Sequence, residues 1–193
     1  MRAKGGAGPA RHLFVLRVDA KDIIVHVNNH WLAFGKENNY PATGLIGNPL
    51  FKFVTDTTTQ QLYRTLMRRA LESHKTITVP FRCDTPSQRR FMSMQVVPLP
   101  GKEIEFRSRI VRTEPRSGVR FLDPAAPRGD KLIRMCGWCR KVAIPEWVEV
   151  EIGVRKMRWF EQSLLPKITH GICPACEQLM MAEVGSSLPR RPN

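Results

Sequence analysis

No apolar run approaches the roughly 18 residues that a membrane-spanning helix needs, so membrane insertion is not expected. Arg17 and Asp19 interrupt the apolar stretch that follows the first basic residues, so no secretory leader is read there and a cytoplasmic location is expected. The chain has no Gly-x-Ser-x-Gly elbow, no Gly-x-x-x-x-Gly-Lys-Ser/Thr phosphate loop and no His-Glu-x-x-His helix. The paired acids Glu149 and Glu151 read as a solvated helix face, and no enzymatic activity is expected. Internal repeats and sustained heptads are missing, which excludes solenoids and coiled coils. Proline and glycine number 15 and 13, too few for a low-complexity chain, and 42% hydrophobic residues support a packed core.

Acidic residues are scarce. Seventeen Asp and Glu face 31 Lys and Arg, a net charge of +14. Such a surface favours polyanions: nucleic acid, an anionic membrane surface or an acidic protein face. The excess is spread along the chain, with 18 basic and 9 acidic residues in 1–115, and 13 and 8 in 116–193. Five cysteines in a reducing compartment point to metal or reactive thiols rather than a disulfide framework.

Two textures divide the chain. Over residues 12–112 short alternating runs predict strands at 12–18, 22–27, 76–83, 90–97 and 103–111. In the second, Ile23, Val25 and Val27 share the apolar face. A short helix is predicted over 29–38, and a longer one capped by Thr57 or Thr58, with Leu62, Leu66, Met67 and Ala70 at helical spacing. Hairpin-linked strands with helices clustered in one insert imply an α+β layout, an antiparallel sheet with helices on one face. Residues 113–130, with three prolines and two glycines, read as a linker, although Val119, Phe121 and Leu122 are able to dock on a neighbour. Residues 131–181 hold four of the five cysteines and three of the four tryptophans, and 182–193 read as a flexible tail.

The segment Ile24-Val25-His26-Val27-Asn28, the short helix with Trp31 and Phe34-Gly35, and Gly44-Leu45-Ile46-Gly47-Asn48-Pro49-Leu50-Phe51 resemble the front half of a PAS domain. The following helix and three strands resemble its back half. The resemblance covers about residues 12–112 and implies a five-stranded sensor and interaction module, often with a small ligand between sheet and helices. The ligand is left unidentified. The Asn-Cys-Arg-Phe-Leu helix of flavin photosensors is missing, and Cys83 instead ends a predicted strand. Haem would need an axial ligand, for which His26, His30 and His74 are the candidates; surface or capping roles suit them better.

Cys136-Gly137-Trp138-Cys139 and Cys173-Pro174-Ala175-Cys176 carry the strongest chemical signal, with 33 residues between them. Each Cys-x-x-Cys turn presents two thiolates to one tetrahedral ion, and two turns fill the closed shell of a structural Zn²⁺. The gap exceeds that of a simple zinc ribbon and must hold its own element, predicted as a helix over 147–160. A module this small needs such a staple to fold securely. A disulfide or thiol redox switch and an iron–sulfur cluster are the alternatives. Met135 to Lys141, Trp147 and the block Thr169-His170-Gly171-Ile172-Cys173-Pro174-Ala175-Cys176 resemble a cysteine motif attached to bacterial PAS, histidine-kinase and diguanylate-cyclase signalling proteins. His170 is expected to support the shell or to pack, since four cysteines already fill it.

Two functions follow as expectations. In the first, the chain is a bacterial sensory or signalling adaptor acting through protein–protein contacts, with a homodimer plausible and a zinc module as anchor. In the second, it is a nucleic-acid-binding zinc regulator, with Arg140, Lys141, Arg155, Lys156 and Arg158 around the metal and Trp138, Trp147 and Trp159 interleaved.

Overall fold

A computed structural model describes residues 12–38, 44–54 and 56–186, with side chains to residue 182. Five strands form the first sheet: β1 (Leu13–Val18), β2 (Ile24–Val27), β3 (Ile77–Arg82), β4 (Gln88–Pro98) and β5 (Ile104–Pro115). They pair antiparallel in the order β2-β1-β5-β4-β3. This is the α+β sheet that the alternation predicts, and β4 and β5 run longer than expected. Leu16, Val18, Ile77, Val79, Met94, Val96, Ile104 and Phe106 supply its buried face.

Strand β2 departs from strict alternation. Arg17 pairs with His26, but Val18 pairs with Ile24, so Val25 is an extra residue. Such a bulge turns the strand locally. It lets Ile24 and Val27 both join the core and leaves Val25 exposed, which corrects the face predicted for Ile23, Val25 and Val27.

Helices α1 (Asn29–Glu37) and α2 (Thr57–Ser73) fill the insert between β2 and β3. The Asn28 side chain caps α1 by accepting the Trp31 N–H. Asp56, rather than Thr57 or Thr58, caps α2, its carboxylate accepting the Thr59 N–H at 2.7 Å. His74 ends α2 in the left-handed region at φ 54°, the capping role foreseen for it. Leu62, Leu66, Met67 and Ala70 press the buried stripe of α2 onto the sheet.

The rest of the chain builds a second sheet of β6 (Arg128–Cys136), β7 (Val142–Ile144), β8 (Glu146–Val148) and β9 (Leu165–Gly171), in the order β8-β7-β6-β9. Strands β6 and β9 are parallel. Helix α3 (Val150–Lys156) and helix α4 (Pro174–Ser186) complete it. The helix predicted over 147–160 is only α3, because Pro145 breaks the chain and Glu146–Val148 pairs with β7. The proline-rich stretch after β5 is docked. Val119 and Phe121 are buried, and Phe121 stacks on Trp159 with ring centroids 4.2 Å apart. They form a small core with Met135, Val142, Val150 and Leu165.

Candidate metal centre

The parallel pairing of β6 with β9 sets the geometry. It places Cys136 opposite Gly171, so both Cys-x-x-Cys turns leave the same end of the second sheet. The Gly137 N–H donates to the Gly171 carbonyl at 2.8 Å, tying one turn to the other. The Arg140 N–H donates to the Cys136 carbonyl at 3.0 Å and the Cys136 N–H to the Lys141 carbonyl at 2.8 Å, closing the first turn. The second turn opens α4. Pro174 takes the first helical position, where its missing N–H costs nothing.

All four sulfur atoms lie within 4.8 Å of one another. The Sγ atoms of Cys139 and Cys173 are 3.6 Å apart, and the Cys173 N–H donates to the Cys136 sulfur at 3.4 Å. Zn–S bonds of 2.3 Å in a tetrahedron put sulfurs about 3.8 Å apart, so the quartet has the size of a tetrahedral thiolate shell. Cys136 and Cys173 are buried, Cys139 and Cys176 half-buried. The thiols of Cys139 and Cys176 point hydrogen bonds at the Cys136 sulfur, helped by the backbone N–H groups of Cys139 and Cys173, and hold its pKa far below the thiol range. Donating to that thiolate pushes Cys139 up to about 12 and raises Cys176 too. One thiolate forms readily and its neighbours resist. A divalent cation removes that resistance, so the donor set fits Zn²⁺.

His170 is not within the sulfur quartet. Its Nε2 lies 3.4 Å from Arg140 Nη1, and desolvation followed by the Arg140 charge lowers its pKa below the ordinary value. Cys83 also stands apart from the quartet and lines a cavity of about 320 Å³ between the first sheet and α1, with Phe14, Trp31, Phe34, Met92 and Phe106. The haem candidates His26, His30 and His74 do not line it.

The two cysteine turns share a core with the first sheet. Trp138 is buried between the two cysteines of its turn, and its ring meets Tyr63 of α2 at 5.5 Å. Burial of the Tyr63 phenol raises its pKa to about 12. The Trp138 carbonyl accepts the Arg82 N–H of β3 at 2.7 Å. Cys136, Cys173, Ile172 and Met180 belong to the same buried cluster as α2 and the sheet. Trp138 and Trp159 are therefore core residues, which withdraws them from base stacking.

A second tie was not read from the sequence. Asp84 has a fully buried side chain and binds Arg82 of β3 and Arg116, which follows β5. Arg82 reaches Glu149 at 2.9 Å; Arg116 and Arg89 reach Glu151 at 3.1 and 2.8 Å. The two acids expected to be solvated instead bind the first sheet to the start of α3. Glu151 keeps a pKa below 4.5 against the penalty of burial, through its own backbone N–H and the Arg89 and Arg116 guanidinium groups. A depressed carboxylate contributes stability that is full above its unfolded value and lost as pH falls through the folded one. In urea titrations, Glu151→Gln should therefore be less stable than the native chain at neutral pH, and the gap should close well below pH 4.5. A gap independent of pH would place its origin outside this carboxylate.

The family model described as "PAS fold" matches residues 12–107. Among solved structures, a domain of an HTR-like protein from Haloarcula marismortui is 15% identical, with 52% of this chain and 98% of that chain covered and a TM-score of 0.37. A sensory box sensor histidine kinase from Vibrio cholerae is 11% identical, with 52% and 83% covered and a TM-score of 0.38. No curated protein matches the chain. Among the described residues, no helix is long and apolar enough to cross a membrane.

Proposed function

We propose that this chain, with residues 12–107 folded as a PAS domain, is a non-enzymatic cytoplasmic signalling adaptor clamped by a structural zinc ion. Cys136, Cys139, Cys173 and Cys176 hold the ion. The zinc supplies a fixed tetrahedral crosslink between two turns, and four thiolates leave no open position for catalysis. The observation that carries the reading is the shared core. The first metal turn is packed through Trp138 onto Tyr63 and hydrogen-bonded to Arg82, so a change in the PAS sheet is felt at the metal-bearing turns.

The signal leaves through protein contacts, with a second copy of the chain as the first partner to test. Leu13 and Val111 are exposed on neighbouring strands β1 and β5 of the PAS sheet. Analytical ultracentrifugation should find self-association, or pull-down with mass spectrometry a signalling partner, and Leu13→Asp with Val111→Asp should weaken it. A monomer that captures no partner overturns the adaptor reading. Elemental analysis with a visible spectrum of anaerobically purified protein should find zinc and no iron–sulfur or haem absorption. The nucleic-acid reading keeps the net charge of +14, the exposed Arg155, Lys156 and Arg158, and the half-buried Trp147 in its favour, but loses Trp138 and Trp159 to the core. Retention on DNA or RNA that falls steeply with salt would restore it.

A further inference from the structure

A second cavity, of about 300 Å³, lies where the first metal turn meets the PAS domain. It has room for about ten water-sized groups. Tyr63, Phe81 and Met94 give it an apolar wall, and Arg140 and His170 give it a polar end.

Arg140 is the decisive residue. It holds a left-handed backbone at φ 64°, a conformation costly outside glycine. Its Nε donates to the Arg82 carbonyl at 3.2 Å, which fixes the guanidinium plane. Its Nη1 lies 3.4 Å from His170 Nε2 and 3.9 Å from Met135 Sδ. Among the described residues, no carboxylate lies within the 4.0 Å of an ion pair with it. A half-buried, pre-positioned guanidinium without an acid is a binding group for a planar anion. Asp56 is on the same cavity, but its carboxylate is engaged at the start of α2, where the helix end offsets its charge.

Trp138 and Thr59 also line the cavity, but Trp138 Nε1 and Thr59 Oγ1 lie beneath its surface, so Arg140 and His170 are its polar groups.

We propose that this junction cavity binds a small organic carboxylate with an apolar body, its carboxylate on Arg140 and His170 and its body against Tyr63, Phe81 and Met94. The site shares the wall of Tyr63, Phe81 and Met94 with the sheet cavity beside α1, but Arg140, His170 and Trp138 do not line that cavity. It shares with the zinc reading the wall built by Gly137 and Trp138 of the first cysteine turn, so zinc content is measured alongside.

The probe is 3-phenylpropanoate, titrated into the full chain as purified while the indole N–H of Trp138 is followed by NMR. Saturable binding is expected. The neutral amide 3-phenylpropanamide and the Arg140→Gln variant should each bind about tenfold more weakly, the loss of one charge-assisted pair. Ser108→Leu, which alters only the sheet cavity, should leave affinity unchanged. The proposal falls if no binding is seen at millimolar probe, if acid and amide bind equally, or if Ser108→Leu removes binding while Arg140→Gln does not. Should Arg140→Gln lose zinc, the comparison of acid with amide on the native chain decides alone. A chain without zinc that still prefers the acid refutes the zinc reading and leaves this one standing.

Discussion

Replacing Cys136 or Cys173 by serine should strip the metal and loosen both halves of the chain. Zinc should fall from one ion per chain to near none, since three thiolates and a hydroxyl make a poor substitute for a closed thiolate shell. Structural zinc contributes about 10–16 kcal/mol of apparent binding free energy at neutral pH, against a whole-domain stability of about 5–15 kcal/mol. Residues 131–186 are therefore expected to lose their fixed structure.

The effect should reach the first sheet, because the cysteine turns are part of its core. Cys136, Trp138, Cys173 and Met180 are buried with α2 and the sheet, and the Arg82 N–H of β3 has the Trp138 carbonyl as its partner. Hydrogen exchange should accelerate at Arg82 and its neighbours in β3 as well as in the second sheet. Cys83→Ser is the control, since Cys83 lies outside the quartet, and its zinc content should stay at the native level. Unchanged metal in both Cys136→Ser and Cys173→Ser would remove these residues from the site. Loss of metal with no change at β3 would make the second sheet an independent unit.

Local pattern made part of this legible. Period-two alternation locates the strands of the first sheet because one face is buried and the other is not. It misassigns the face of β2 because the extra residue Val25 depends on pairing with β1, which composition does not reveal. The clustering of the four cysteines is legible because a Cys-x-x-Cys turn holds its two thiols close together, and the parallel pairing of β6 with β9 brings the two turns together. Helix α4 was missed: Leu179, Met180 and Met181 are consecutive, and only Met180 is buried, so no helical stripe stands out. The contacts that join the halves were invisible for a different reason. Trp138 with Arg82, and Glu149 with Arg82, are pairs distant in sequence. A basic residue on a strand reads as solvent-facing until its acid arrives from elsewhere in the fold.

Asp84→Asn is the substitution expected to cost most outside the metal site. Asp84 Oδ1 accepts from Arg82 Nε and from the Arg90 N–H, each at 3.2 Å, and Oδ2 accepts from Arg116 Nη1 at 3.1 Å and from Arg82. Its side chain is 0% exposed and that of Arg116 is 5% exposed. An amide keeps the shape but removes the charge, and its NH₂ group turns a donor toward donors. Two guanidinium groups are then left near each other with only Glu149 and Glu151 to balance them. Breaking a buried pair by removing one partner costs about 3–5 kcal/mol. Glu149→Gln removes a partner that is 38% exposed, and about 1 kcal/mol or less is expected. The ratio of the two losses, read from urea midpoints, tests burial rather than charge count. Arg116→Met in the Asp84→Asn background should recover part of the loss, because it removes the stranded charge. Equal losses for Asp84→Asn and Glu149→Gln would mean that the network lies on the junction without holding it, and the cysteine-bearing turns would then be its main clamp.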